Sequence, residues 1–274
     1  MRRWVRGALD PQTPILTYHA ISDEVSERFA KFAVRPEEFE AQVACLVEGG
    51  RSIVSVSRYA DALRRGEPFE DAVVLTFDDG FRDFLTEALP ILGRHGATAT
   101  LYVATGYLGG TSRWLADVGE GGRAMLSTAE LREVAAAGVE IGGHSHTHRE
   151  LDRLSTSDLA DEVTTCTRIL EDALGAPVRS FAYPFGYHHA GVRRAVRDGG
   201  YASACAVGHL PSSVSDDPYA LRRWIVPRDM SLTEFRHLVH HRPSATERAI
   251  RGLREFGAGV RRRLSAPRRD ATTP

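Results

Sequence analysis

The chain has 274 residues, of which 42% are hydrophobic, 26% charged and 8% aromatic, and these fractions are typical of ordinary globular proteins. The formal net charge of −1 argues against a general electrostatic attraction to nucleic acid, so we expect no nucleic-acid partner. The three cysteines, Cys45, Cys166 and Cys205, are far apart, which excludes a structural zinc site of the CxxC type.

Short apolar, β-branched runs alternate with longer amphipathic stretches along the chain. We predict eight strands, at residues 15–18, 52–56, 72–77, 97–103, 139–141, 179–183, 202–207 and 221–226. We predict helices from Pro36 to the glycines at 49–50 and at residues 83–95, 128–137, 155–174 and 190–198. Ser127, Ser155 and Ser157 are candidate N-caps, and Gly138 and Gly175 are candidate C-terminal stops. This alternation predicts an α/β fold with parallel strands, either as an open sheet or as a closed barrel.

The two ends of the chain differ from this pattern. Residues 1–12 begin with basic residues, but Asp10 and Pro11 arrive before an apolar core can form, so we expect no signal peptide. No apolar run approaches the roughly 20 residues of a membrane span. We therefore expect a cytoplasmic protein with an N-terminal extension at 1–12 and one domain at 13–240.

Residues 241–274 form a basic tail. They contain nine arginines against three acidic residues, a net charge of +6, which leaves −7 for the rest of the chain. Apolar residues recur among the arginines near helical spacing, as on an amphipathic surface helix, although Gly257 and Gly259 oppose a helix. The tail is either solvated or makes a weak peripheral contact with an anionic membrane surface.

Two adjacent carboxylates follow the predicted strand at 72–77. Asp78 and Asp79 come directly after the apolar run and precede Gly80. Two carboxylates this close repel each other unless a cation compensates, and a metal bound by one aspartate would leave the other free as a base. A glycine turn without function is the alternative.

Three histidines lie within five residues after the predicted strand at 139–141. His144 and His148 are four residues apart, so one helical turn or a tight loop can direct both imidazoles at one ion. His146 lies two positions from each of them and would point away, so we expect it in a supporting or exposed role. A solvated histidine-rich loop is the alternative.

Two further segments end predicted strands. Residues 181–186 include a proline among aromatic residues, which predicts a strand end that turns into a rigid loop. Beside a metal, Tyr183, Pro184 and Phe185 could form a groove wall with backbone N–H groups for an oxyanion, whereas a packing turn is the alternative. His19 follows the strand at 15–18, where a lone histidine is commonly a plain polar residue.

Together these segments resemble the polysaccharide deacetylase family, the NodB-homology or carbohydrate esterase family 4 enzymes. Residues 76–80, Thr-Phe-Asp-Asp-Gly, look like the first family motif, and residues 144–148 match the second, H-[ST]-x-x-H. The resemblance covers about residues 13–235 and implies a distorted (β/α)7 barrel in a single NodB-homology domain. It also implies a divalent metal bound by Asp79, His144 and His148, with Asp78 as the catalytic base.

The chain departs from the family pattern in three places. Ala182 stands where the third motif usually has an arginine, the fourth motif is not recognisable, and the Leu-x-His segment that holds the general acid is not found near the C-terminus. The poly-N-acetylglucosamine deacetylase subgroup resembles this chain more, because its third motif is YPFG-like and its acid histidine lies on the first strand. His19 is therefore the leading candidate for the general acid, with His209 in reserve.

The resemblance implies a hydrolase that removes N-acetyl groups from N-acetylhexosamine units of a polysaccharide, oligosaccharide or glycoconjugate. The expected cofactor is Zn²⁺, although two histidines and one aspartate also suit Co²⁺, Ni²⁺ or Mn²⁺. Two alternatives stay open at this point. One is hydrolysis of another linear or cyclic amide, such as a formamide or an imide, on the same barrel. The other is a non-catalytic carbohydrate-binding protein.

Overall fold

The computed structural model describes residues 12–67, 69, 71–208, 210–213, 216–241, 244 and 246. Residues 1–11 of the expected N-terminal extension, most of the basic tail and the reserve acid His209 lie outside these residues. The domain boundaries and the membrane contact of the tail therefore stay predictions. In the described part of the chain, no helix combines the length and apolarity needed to cross a bilayer.

Strands and helices alternate along the described residues. The strands are β1 (Gln12–Thr13), β2 (Ile15–Tyr18), β3 (Ala20–Ile21), β4 (Ala33–Val34), β5 (Ser52–Ile53), β6 (Ala72–Phe77), β7 (Thr100–Val103), β8 (Glu140–Gly143), β9 (Ser180–Ala182), β10 (Ser203–Cys205), β11 (Ser212–Ser213) and β12 (Trp224–Ile225). The α-helices are α1 (Pro36–Glu48), α2 (Val56–Arg65), α3 (Leu89–Arg94), α4 (Thr128–Ala136), α5 (Thr156–Leu174), α6 (Ala190–Asp198) and α7 (Leu232–His240). A π-helical turn, Phe84–Ala88, leads into α3.

Each predicted strand overlaps an observed one, and β2 and β6 match residue for residue. The predicted strand at 52–56 is too long, because β5 ends at Ile53 and helix α2 begins at Val56. The Ser55 hydroxyl accepts a hydrogen bond from the backbone N–H of Arg58 and so caps α2. Neither α2 nor α7 was predicted from the sequence.

The main sheet is parallel and runs in the order β10-β9-β8-β7-β6-β2-β12, with β5 paired to the start of β6. Residues 221–226 bring its two ends together. Leu221 pairs with Cys205 of β10, and the N–H of Val226 donates to the carbonyl of Thr17 in β2 at 3.0 Å. The seven strands of this order therefore curl into the predicted distorted (β/α)7 barrel.

Helices cover the barrel with apolar stripes of helical spacing. Helix α5 is the longest and buries Leu159, Val163 and Leu170 on one face. Of the two candidate caps before it, Ser155 is the observed one, since its hydroxyl accepts from the N–H of Asp158 at 3.1 Å. Gly175 ends the helix in the left-handed conformation, with φ 66°, as predicted.

The carboxyl ends of the parallel strands lie at one edge of the barrel, where α/β proteins place their active sites. Strand β2 ends before His19, β6 before Asp78 and Asp79, β8 before His144 and β9 before Tyr183. Parallel pairing of β2 with β6, of β6 with β7, and onward to β9 brings these positions to the same rim.

Candidate metal centre and active site

Three potential metal ligands converge at this rim. One ligand atom from each of Asp79, His144 and His148 lies within 4.8 Å of the other two. The Oδ1 atom of Asp79 is 3.2 Å from Nε2 of His148 and 3.6 Å from Nε2 of His144. All three residues are buried or nearly so. The structure thus brings together the three residues that the sequence analysis proposed as ligands.

The chemistry of these donors fits a divalent cation. Among the described residues, Oδ1 of Asp79 is buried without a hydrogen-bond partner, although two imidazole nitrogens face it. Burial lowers the pKa of His144 to about 4, against the opposing effect of Asp78, so this imidazole is neutral at physiological pH, the form that binds metals. One carboxylate and two neutral imidazoles are a donor set typical of zinc and related ions.

Backbone strain is concentrated around the same three residues. In the described part of the chain, the non-glycine residues with positive φ are Asp79 (77°), Ser145 (62°), His148 (55°) and Phe185 (60°). Each such conformation costs of order 1–3 kcal/mol and persists only where the surroundings enforce it. Two of the candidate ligands and their neighbours are therefore held in orientations that an unconstrained chain would avoid.

The loop of residues 144–148 is held by a buried carboxylate that the sequence analysis missed. Glu162 of α5 is only 6% exposed. Its Oε2 accepts the N–H of Thr147 at 2.7 Å, and its Oε1 accepts the hydroxyl of the same residue. His146 lies outside the metal triad, with its Nδ1 at 3.0 Å from Oγ1 of Thr105. Glu162 thus fixes the loop between the two ligand histidines.

The two ligand histidines are oriented in different ways. Nδ1 of His144 is 2.8 Å from the carbonyl oxygen of Ala182, an arrangement that fixes the tautomer with Nε2 free for a metal. Nδ1 of His148 is buried and has no hydrogen-bond partner among the described residues. Its ring instead stacks on Trp114 (5.2 Å, 26°) and meets the ring of Phe185 edge-on (4.9 Å, 69°).

Trp114 comes from an ordered loop. The glycine-rich segment at 106–122 contains a 3₁₀ turn, Arg113–Val118, and an antiparallel bridge joins Thr111 to Ala124. Arg123 ties the loop to the rim, with Nη1 at 2.8 Å from Asp83 and Nη2 at 2.8 Å from Glu120. This partly buried network holds the loop that carries the indole.

A buried arginine contacts the second aspartate of the pair. Arg223 has no solvent exposure and donates to the two carboxylate oxygens of Asp78, at 2.7 and 2.8 Å. Burial would raise the pKa of Asp78, but the charge of the adjacent Arg223 guanidinium holds that pKa below its usual range. Asp78 is therefore ionised at neutral pH.

Arg223 was not predicted as a site residue. Ala182 stands at the usual place of the motif arginine, whereas the guanidinium reaches the site from residue 223, directly before β12. The signal in the sequence was the presence of two arginines, Arg222 and Arg223, inside the predicted strand at 221–226. A charge at such a position is fully buried only if it is paired.

His19 lies close to both aspartates. Burial acts first and raises the pKa of Asp78 and of Asp79, and a positive charge on the nearby His19 imidazole would act in the opposite sense on both. Its ring is 5.1 Å from that of Phe32. Nδ1 of His19 is buried and has no hydrogen-bond partner among the described residues. The imidazole is thus held near the carboxylates by packing.

The three residues of the third segment differ in exposure. Tyr183 is fully buried, and its hydroxyl donates to the carbonyl of Tyr219 at 2.8 Å, so its side chain packs in the core and forms no groove wall. Pro184 is also buried. Phe185 is 51% exposed, and its ring contacts the ring of His148 in the candidate metal centre.

Comparison with known proteins gives consistent results. The family model described as polysaccharide deacetylase matches residues 65–204. The chain is 26% identical over 233 residues to a Bacillus subtilis protein named "Putative polysaccharide deacetylase YxkH", which covers 85% of this chain and 77% of that protein. It is 22% identical over 223 residues to a Staphylococcus aureus poly-β-1,6-N-acetyl-D-glucosamine N-deacetylase, which covers 78% of this chain and 73% of that enzyme.

Solved structures share the fold. The Streptococcus pyogenes deacetylase PplD, solved in complex with acetate, superposes with a TM-score of 0.74 at 26% identity over 85% of this chain and all of that chain. The strand ends that carry the candidate residues therefore belong to a barrel already known in deacetylases.

Proposed function

This chain belongs to the polysaccharide deacetylase family, whose enzymes hydrolyse C–N bonds, and we propose that it removes N-acetyl groups from N-acetylhexosamine units of a polysaccharide, oligosaccharide or glycoconjugate. The observation that carries this proposal is the convergence of Asp79, His144 and His148 within 4.8 Å, next to the ionised Asp78. The names of the relatives support the substrate class.

Asp79, His144 and His148 are the proposed metal ligands, and Zn²⁺ is the proposed ion. When bound, a divalent cation supplies Lewis-acid polarisation of the amide carbonyl and of water. The chain contributes an orientation that is fixed before the ion binds, because the carbonyl of Ala182 holds His144 and aromatic rings hold His148.

Asp78 is the proposed general base. It accepts the proton of the water that attacks the amide carbon, and the contact with Arg223 keeps its carboxylate ionised and fixed in orientation. Its Oδ2 lies 4.0 Å from Nε2 of His144, so base and metal ligands share one small volume. Because Asp78 binds an arginine and Asp79 faces two imidazoles, the adjacent carboxylates have different roles.

His19 is the proposed general acid, which gives a proton to the leaving amine. Its position after β2, next to the strand that carries the aspartates, supports this role. The backbone N–H of Phe185 is the proposed donor to the developing oxyanion, at a turn held by the hydrogen bond from the N–H of Gly186 to the carbonyl of Tyr183 at 2.8 Å.

The two alternatives are less well supported. A non-catalytic protein would have no need of four strained non-glycine residues around a triad of potential ligands. Hydrolysis of formamides or imides would use the same base and metal, but the named relatives are deacetylases of polysaccharides. Acetylated sugars are therefore the first substrates to test.

The decisive experiment measures acetate released from oligomers of N-acetylglucosamine by chelated protein and by protein reloaded with Zn²⁺, Co²⁺ or Ni²⁺. We expect reloading to restore activity and His148→Ala to abolish it, with His146→Ala as the matched control in the same loop. Full activity after chelation, or in His148→Ala, would refute the metal assignment. Release of formate or opening of a cyclic imide, with no acetate, would favour the alternative amide hydrolase.

A further inference from the structure

A buried tyrosine contacts the arginine that pairs with Asp78. Tyr102 of β7 has no solvent exposure, and neither has Arg223. The Cζ atom of Arg223 lies over the ring of Tyr102, 5.5 Å from the ring centroid. Because both side chains are buried, solvent weakens the attraction between the guanidinium and the face of the ring less than it would at the surface. The proposed mechanism so far has no role for this ring.

The ring restrains Arg223 in a direction that its hydrogen bonds leave open. The guanidinium donates to the carboxylate of Asp78 at 2.7 and 2.8 Å, to Oγ1 of Thr76 at 3.2 Å and to the carbonyl of Ala206 at 3.3 Å. The N–H groups of a guanidinium form a planar fork, so these bonds restrain the group mainly within its own plane. Contact of the ring of Tyr102 with the face of the group restrains its tilt.

The neighbouring strand leaves space for this ring. Tyr102 of β7 pairs with Gly142 of β8 in the parallel register. A Cβ atom at Gly142 would lie 2.5 Å from both Cδ1 and Cε1 of the tyrosine ring, too close for van der Waals contact. Gly142 is not among the described glycines with positive φ, so space, and not backbone conformation, accounts for glycine at this position. The absence of a side chain in β8 thus gives the ring its place.

The hydroxyl end of the ring meets a thiol. Oη of Tyr102 lies 3.3 Å from Sγ of Cys205, a fully buried residue at the end of β10. Burial raises the pKa of Tyr102 well above its usual value and that of Cys205 to about 11. Both groups are therefore neutral at physiological pH, and neither competes with Asp78 as an anionic partner for Arg223.

We propose that Tyr102 is a positioning residue for the reaction, because contact of its ring with the face of Arg223 holds that guanidinium in the orientation that fixes Asp78. This inference rests on the proposed function, in which Asp78 is the general base. A base must lie within hydrogen-bonding reach of the proton it accepts, and small displacements lower the rate of the chemical step. Loss of the ring therefore slows this step and leaves substrate binding unchanged.

The kinetic test measures acetate released from oligomers of N-acetylglucosamine by the metal-loaded protein. We expect Tyr102→Leu to lower kcat about 10-fold with KM nearly unchanged, and Tyr102→Phe, which keeps the aromatic face, to restore most of the loss. Tyr59→Leu is the matched control, since Tyr59 of α2 is buried in the same apolar cluster, and it should keep the wild-type kcat. Equal losses in Tyr59→Leu and Tyr102→Leu would overturn the proposal, because general loosening of the core would then explain both.

A double-mutant cycle tests whether Tyr102 acts through Arg223. If it does, Tyr102→Leu should have no further effect on kcat in a protein that already carries Arg223→Met. Losses of kcat that multiply in the double variant would show that the two residues act independently and would overturn the proposal.

NMR of the protein labelled with isotope-enriched arginine tests the contact without substrate. In the wild type we expect a slowly exchanging Nε–H resonance, identified by its loss in Arg223→Met and shifted upfield by the ring of Tyr102. Tyr102→Leu should remove this shift, and Tyr102→Phe should keep it. This pattern without acetate release would overturn the proposed function and leave the restraint on Arg223 standing. A wild-type resonance without the upfield shift, or one that Tyr102→Leu does not change, would overturn the positioning role even if acetate is released.

Discussion

Arg223 donates hydrogen bonds to both carboxylate oxygens of Asp78, at 2.7 and 2.8 Å, from a position without solvent exposure. Nη1 of Arg223 also donates to Oγ1 of Thr76 at 3.2 Å, and Nε donates to the carbonyl of Ala206 at 3.3 Å. A buried ion pair is tolerated only when its remaining donors are also satisfied, and here the partners come from the carboxyl ends of two strands, β6 and β10.

Replacement of this arginine should change the pH profile of the enzyme. In Arg223→Met the burial of Asp78 acts without a counter-ion, so its pKa rises and the carboxylate becomes protonated near neutral pH. We expect activity at pH 7 to fall by about 10²-fold or more, with the acid limb displaced to higher pH. Arg222→Met, at the neighbouring arginine that pairs with Asp216, should retain the wild-type profile. An unshifted acid limb in Arg223→Met would contradict the role of the pair.

The same variant has a defined effect on stability. The pKa of Asp78 in the folded protein is lowered, so in the wild type the pair contributes stability above the unfolded pKa of about 3.9 and loses it as the pH falls towards the lower folded value. Breaking a buried pair costs about 3–5 kcal/mol. Denaturant unfolding should therefore show the largest loss in Arg223→Met at neutral pH and a smaller one near pH 4.

His19 is predicted to act in proton transfer without binding the metal. We expect His19→Gln to lower kcat by about 10²–10⁴-fold, the usual contribution of a general acid, while the affinity for Zn²⁺, measured by chelator competition, stays the same. His209→Gln is the comparison that separates the two candidates for the acid. A larger loss of kcat in His209→Gln than in His19→Gln would identify His209 as the general acid in place of His19.

Trp114 is predicted to position His148, because the indole stacks on that imidazole at 5.2 Å. Loss of the residues that orient metal ligands typically lowers metal affinity by about 10–100-fold, and we expect a change of this size in Trp114→Ala. Trp114→Phe preserves an aromatic face and should lose much less. Affinity is measured by competition with a chromogenic chelator, independently of activity. Wild-type affinity in Trp114→Ala would show that packing does not orient His148.

Glu162 is predicted to hold the loop that carries His148. In Glu162→Gln one carboxylate oxygen that accepts from Thr147 becomes an NH₂ group or must rotate away, and an unsatisfied buried donor costs about 1–3 kcal/mol. We expect a lower thermal midpoint together with weaker metal binding. Asp161→Asn changes the same kind of charge at the preceding, exposed position of α5 and serves as the control. Equal effects of the two substitutions would argue against a specific role of Glu162 in holding the loop.

Several elements were predictable because the information for them is local. Strand β6 was predicted to the residue, since the apolar run at 72–77 ends abruptly at two aspartates. Helix α5 was predicted from its apolar spacing, its cap at Ser155 and its stop at Gly175. Helix α2 was missed because its short sequence contains four charged residues and follows a strand with only Val54 and Ser55 between them.

By itself the sequence determined where the strands lie along the chain and which of these strands are followed by carboxylates and imidazoles. Parallel pairing then brings Asp79, His144 and His148 together, because equivalent ends of neighbouring strands lie at the same rim. Only the tertiary structure decided that Arg223, 145 positions from Asp78 in sequence, supplies its counter-ion, and that Trp114 packs on His148. These contacts depend on barrel closure and on the path of an irregular loop, and neither has a periodic signal in the sequence.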